Sequence, residues 1–128
     1  RELMNHELRK KQDELEEIRL EMKKLNPLLR DARYRASIAD ANYSQAKSEE
    51  LLMMEIEEHS PEYIASKHKR NDNMRESRYR TKFADLRLTR NLANDEVEDL
   101  KSYQKQLESM QSNLQTQCNL EKEVDKLG

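Results

Sequence analysis

An apolar seam spaced by alternating fours and threes runs through the first half of the chain. It comprises Met4, Leu8, Lys11, Leu15, Ile18, Met22, Leu25, Leu29, Ala32, Ala36, Ala39, Tyr43, Ala46, Glu50 and Met53. Thirteen of these fifteen residues are apolar, and only Lys11 and Glu50 interrupt the run. A 3.5-residue repeat lines such side chains along one narrow stripe of a helix. The stripe is too thin to wrap a globular core and wide enough to meet one similar helix. The fold class expected is all-α, an elongated coiled coil.

Composition supports this and excludes several alternatives. Charged residues make up 39% of the chain, and the single glycine is Gly128. Mean hydropathy is -1.21. A compact domain needs more apolar and more turn residues than this. Disorder would also suit so much charge, but a disordered segment has no reason to space its leucines by threes and fours. No apolar run reaches the roughly 20 residues of a membrane span, so no membrane insertion is expected. The lone Cys118 cannot form an internal disulfide, which suits a reducing compartment and a cytoplasmic location. The chain opens at Arg1 in mid-heptad and reads as a piece of a longer protein.

Two prolines set the organisation. Pro27 falls on the outermost heptad position, and the phase is unchanged across it, so a bent but continuous helix is expected. His59-Ser60-Pro61-Glu62 reads instead as a helix start, with Ser60 as N-cap and Pro61 in the first turn. Ser60-Pro61 also suits a proline-directed kinase. The sequence thus divides into a heptad helix over 1–58, a break at 59–61, and a second helix over 62–128. That second helix begins polar and basic and continues with irregular heptads.

Its seam runs Tyr79, Phe83, Leu86, Arg90, Ala93, Val97, Leu100, then shifts to Tyr103, Leu107, Met110, Leu114, Gln117, Glu121 and Val124. The three-three step at Leu100 reads as a stammer. Leu88 and Leu92 lie off the seam and widen the apolar face.

Two strand arrangements compete. In a parallel dimer Glu14 would face Arg19 and Arg35 would face Asp40, both attractive, so an extended parallel dimer is preferred. An antiparallel helical hairpin is the alternative. In it, the acidic block Glu49, Glu50, Glu55, Glu57 and Glu58 would lie against Lys67, Lys69 and Arg70. The alanine run would then face Tyr79, Phe83 and Leu86. The missing glycine at the turn counts against the hairpin.

Candidate oligomerisation residues are Leu8, Leu15, Ile18, Met22, Leu25, Leu29, Ala32, Ala36, Ala39, Tyr43, Ala46, Met53, Phe83, Leu86, Val97, Leu100, Tyr103, Leu107, Met110 and Leu114. Candidate partner-binding residues are Leu51, Leu52, Met54 and Ile56, the flank Leu88 and Leu92, and the basic Arg75, Arg78 and Arg80. Residues 59–90 carry nine basic and four acidic side chains, which could engage an acidic polymer or surface. Aromatics for base stacking are nearly absent there, so nucleic acid is disfavoured.

Catalytic features are lacking. His6, His59 and His68 are too scattered for a metal site, and Cys118 has no local histidine to activate it. No enzyme activity, cofactor, metal or small-molecule ligand is expected. The chain resembles the general class of intracellular long coiled coils. The function expected is a homo-oligomerising segment of a scaffold, cytoskeletal, centrosomal or tethering protein. Its partners would be a second copy and other proteins. The alternative is a hairpin adaptor that binds a partner's helix.

Overall fold

The computed structural model describes the backbone of residues 2–127 and the burial of residues 6–127. Met4 of the seam lies outside the residues whose side chains are described. Every regular element among the described residues is a helix: α1 (Glu2–Glu58), α2 (Pro61–Ala65), α3 (Asp72–Lys82) and α4 (Ala84–Leu127). None is long and apolar enough to cross a membrane. The chain forms two compact units, a terminal unit of residues 1–31 and 97–128 and a hairpin unit of residues 32–96.

Helix α1 continues through Pro27. That proline sits on an exposed face, where the lost hydrogen bond leaves the apolar stripe undisturbed. The helix tightens at its end, with His59 N donating to Ile56 O and Ser60 N to Glu57 O. Ser60 then caps α2, its Oγ accepting from Tyr63 N at 3.2 Å. Pro61 follows at the first helical position.

The break is wider than residues 59–61. Helix α2 lasts five residues, and a second non-helical stretch from Ser66 leads to Asn71, the N-cap of α3. The expected single helix from residue 62 is corrected accordingly. Lys69, rather than a glycine, closes α2. Its Nζ donates to both Tyr63 O and Ile64 O at 2.7 Å. The Tyr63 hydroxyl in turn accepts from Arg70 N at 2.6 Å. Exposed helix-end carbonyls are thus satisfied by an ammonium, and no described residue has positive φ.

Within the hairpin unit the arms run antiparallel. Arg35 meets Glu96 at 2.6 Å, Tyr43 lies under Arg90, and Glu50 meets Arg78. Numbers rise on one arm as they fall on the other. In the terminal unit Glu21 meets Tyr103 and Lys11 meets Glu121, again antiparallel. The extended parallel arrangement is therefore replaced by pairing within the chain. The charges that favoured it are engaged elsewhere: Arg35 reaches Glu96, and Arg19 sits 3.6 Å from Glu16 of its own helix.

The terminal unit has an aliphatic core. Ile18, Leu25 and Leu107 are buried, with Met22, Leu100 and Leu114 packed against them. Full burial of such a side chain contributes about 1.5–3 kcal/mol. The hairpin unit instead buries Ala32, Ala36, Ala39 and Tyr43. Of the alanine run, Ala32, Ala36 and Ala39 do not face Tyr79, Phe83 and Leu86, whereas half-buried Ala46 lies between the Tyr43–Arg90 and Glu50–Lys82 contacts, the stretch that holds Phe83 and Leu86. Ala36 and Ala39 lie between the Arg35–Glu96 and Tyr43–Arg90 contacts, while Tyr79 sits beneath the Lys47 ammonium.

Candidate functional site

Most expected seam residues of α1 are covered by the returning arm. Leu15, Ile18, Leu25, Leu29, Ala32, Ala36, Ala39 and Tyr43 are buried, and Leu8, Met22 and Ala46 are half-buried. Placed earlier between two chains, they pack within one.

The seam changes phase after Glu50. Met53 is 51% exposed, whereas Met54 is fully buried. The seam role expected of Met53 belongs to Met54, and the partner-binding role assigned to Met54 is corrected. The inner line steps by four from Ala46 to Glu50 and by four again to Met54, where the strict count calls for three, which moves the inner face by one residue. Leu51 is half-buried beside it.

In α4 the correction runs the other way. Tyr103, Met110 and Val124 are exposed, while Gln104, Gln111 and Glu121 are half-buried and Cys118 is buried. The inner face reads Val97, Leu100, Gln104, Leu107, Gln111, Leu114, Cys118, Glu121, an unbroken four-three repeat. No stammer exists. The apolar Tyr103 and Met110 lie one position off the inner line, and following hydrophobicity alone moves the seam onto them. Counting on from Tyr79 without a shift would have found Cys118. Val97 and Leu107 are buried, and Phe83, Leu86, Leu100 and Leu114 half-buried, as inner-face positions.

Lys11, Arg90 and Glu50, three polar interruptions of the seam, each have a partner on the opposite arm. Lys11 hydrogen-bonds Glu121, which raises the Lys11 pKa. Arg90 stacks on Tyr43 with 4.5 Å from its Cζ to the ring centroid. Glu50, only 1% exposed, accepts from Arg78 Nε at 2.9 Å and from Lys82 Nζ at 2.7 Å. The Lys82 hydrogen bond, followed by that of Arg78, outweighs desolvation and lowers the Glu50 pKa.

A network extends from there toward the turn. Arg78 also donates through both Nη atoms to Glu57, at 2.9 and 3.0 Å. Arg70 donates to the same carboxylate at 2.7 Å, and Arg75 Nε to Glu58 at 3.0 Å. The hydrogen bonds from Arg78 and Arg70 hold Glu57 at about 2, well below its ordinary 4.5. Glu58 raises the Arg75 pKa, and Glu57 raises that of Arg78. Two of the three candidate partner-binding arginines, Arg75 and Arg78, are thus engaged inside the unit. Arg80 pairs with Glu76 one turn away at 2.6 Å. Of the acidic block's expected partners, Arg70 takes that role, while Lys69 caps α2.

Four of the apolar candidates remain outside. Leu52 and Ile56, one turn apart on α1, and Leu88 and Leu92, one turn apart on α4, are all exposed. An open concavity of about 550 Å³ lies along α3 and the start of α4, lined by Asn73, Glu76, Ser77, Arg80, Thr81, Ala84 and Arg87. It is polar and shallow, unlike the apolar clefts that hold small ligands. Among the described residues no cluster of His, Cys, Asp and Glu could hold a metal ion. Compared with known proteins, the chain matches no family model, no curated protein and no solved structure.

Proposed function

We propose that this chain is a non-enzymatic interaction module, a helical hairpin within a scaffold or tethering protein, that docks the helix of another protein. The observation that carries this reading is the occupied seam. The α1 stripe that would have recruited a second chain is covered internally, and buried Glu50 is clamped by Arg78 and Lys82. A buried carboxylate held by partly exposed cations adds little net stability but penalises a shifted register, which would strand the carboxylate. The arms therefore present fixed outer surfaces, and the one-turn pairs Leu52–Ile56 and Leu88–Leu92 provide apolar anchors for an amphipathic helix. The pairing of the arms is an antiparallel coiled coil in this reading.

A two-part experiment tests it. In a Cys118→Ser background, Arg35→Cys with Glu96→Cys is treated with a short bis-maleimide. Cross-linking within one chain is expected; cross-linking only between chains would reject the hairpin. The full-length parent is then compared in cells, by quantitative cross-linking mass spectrometry, with its Leu52→Glu/Ile56→Glu and Leu88→Glu/Leu92→Glu variants. At least one variant should lose partners that the parent retains. Identical partner sets for all three would reject docking on these anchors.

A further inference from the structure

The terminal unit has two outer helix faces of opposite character. On α1, heptad positions c, f and g between Lys10 and Lys24 hold seven residues, of which six are charged and Leu20 is the exception. This is an ordinary solvated face. On α4, with Val97 counted as a, the same positions between Ser102 and Leu120 hold nine residues, and none is charged. All nine are exposed. They are Ser, Thr, Asn and Gln, together with Tyr103 (40% exposed), Met110 (51%) and Leu120 (58%). Over the whole stretch 106–120 Glu108 is the only charge, in a chain that is 39% charged.

Loss of charge with retention of large apolar side chains distinguishes the centre of a protein interface from free surface. It also constrains the occupant. A charged helix laid on this face would lose hydration and find no counter-charge. The occupant must be neutral along its own contact line, and the chain itself supplies such a line. We propose that this α4 face is a self-association surface, on which the same face of a second copy docks antiparallel.

The pattern is self-complementary in that arrangement. A two-fold axis between Gln111 and Ser112 places Tyr103 of one copy opposite Leu120 of the other. The same axis sets Gln106 opposite Gln117 and Met110 opposite Asn113. Aromatic meets aliphatic at the ends, amide meets amide in the next layer, methionine meets asparagine at the centre, and each layer occurs twice, as an isologous contact requires. Small side chains at Ser102, Ser109 and Thr116 recur every seven residues beside these layers and allow close approach. The next layer, Val124 against Asp99, returns charge to the rim. At 1.5 Å per residue this contact is about 27 Å long. One helix width over that length falls below the ~800 Å² per partner of a standard interface, so the dimer is weak, of micromolar affinity. The surface shares no residue with Leu52, Ile56, Leu88 and Leu92, so it stands or falls separately from the partner-docking reading.

Sedimentation equilibrium on the whole chain, up to about 100 µM, tests the proposal. The mass should rise from one copy toward two with concentration. Gln106→Lys/Gln117→Lys and Gln106→Glu/Gln117→Glu should each weaken association about tenfold or more, because like charges then meet across the axis. An equimolar mixture of the two should restore it. Unchanged helicity by circular dichroism excludes unfolding, since all four substitutions are at exposed positions. A wild-type chain that stays at one copy throughout would overturn the proposal and leave the face to another neutral helix. So would variants that dimerise as well as wild type, or a mixture that fails to recover.

Discussion

The two units hold similar antiparallel arms together by different means. In the terminal unit Ile18, Leu25 and Leu107 make an aliphatic core. In the hairpin unit alanines line the arms, and an ion-pair network around Glu50, Glu57 and Glu58 fills the region near the turn. Burial of methylenes is strong but indifferent to partner identity, since one leucine packs almost as well against another a heptad away. Buried charge is weak in net energy but intolerant of error. One unit provides the cohesion, and the other fixes which residues meet.

That division can be broken from either side. Leu25→Ala combined with Leu107→Ala removes facing side chains from the aliphatic core. Each substitution should cost about 2–5 kcal/mol, and chemical denaturation followed by circular dichroism should show the terminal unit lost first. Arg78→Met with Lys82→Met leaves the Glu50 carboxylate without its hydrogen-bond donors and should cost about 1–3 kcal/mol. Hydrogen exchange should then speed up around residues 43–58 and 72–90, while residues 15–29 stay protected. If exchange rises equally in both units, the contrast between them is not real.

Acid and base should separate the units more gently. Glu57 titrates at about 2 in the folded chain, against an ordinary 4.5, and Glu50 is shifted in the same direction. Protonation then favours the unfolded chain. The stability these carboxylates contribute is complete above about 4.5 and is lost as pH falls toward 2. Lys11 is shifted upward from 10.5, so its contribution to the terminal unit is complete below 10.5 and is lost as pH rises above it. Thermal melts across pH should show the hairpin unit weakening first in acid and the terminal unit in base. A hairpin unit unaffected between pH 5 and 2 would argue that its ion pairs are not formed in solution.

Much of α1 is legible in the sequence because residues from Leu8 to Glu50 repeat so regularly that spacing alone fixes the inner face. The pairing direction is not, because exposed charge pairs separate parallel from antiparallel by only a few tenths of a kcal/mol. The better signal lies in the seam's interruptions. Half-buried Lys11 and buried Glu50 each need an opposite charge on the facing arm, and Glu121, with Arg78 and Lys82, supplies it only if the arms run antiparallel. The turn is hard to read for another reason. Its closing group is the side chain of Lys69 rather than a backbone glycine, and no short motif encodes that choice. The exposed anchors Leu52, Ile56, Leu88 and Leu92 can be picked out as off-seam apolar residues, whereas the neutral α4 face emerges only once the true inner line of α4 is known.

The long-range pairing has a consequence for synthesis. Lys11 finds its partner, Glu121, 110 positions further along the chain. The first helix leaves the ribosome well before the arm that covers it. At about 5–20 residues per second, its apolar stripe waits roughly 5–20 s for a mate. During that interval the nascent chain is most open to capture by another copy or by a chaperone. The dense charge flanking the stripe keeps the helix hydrated through that interval.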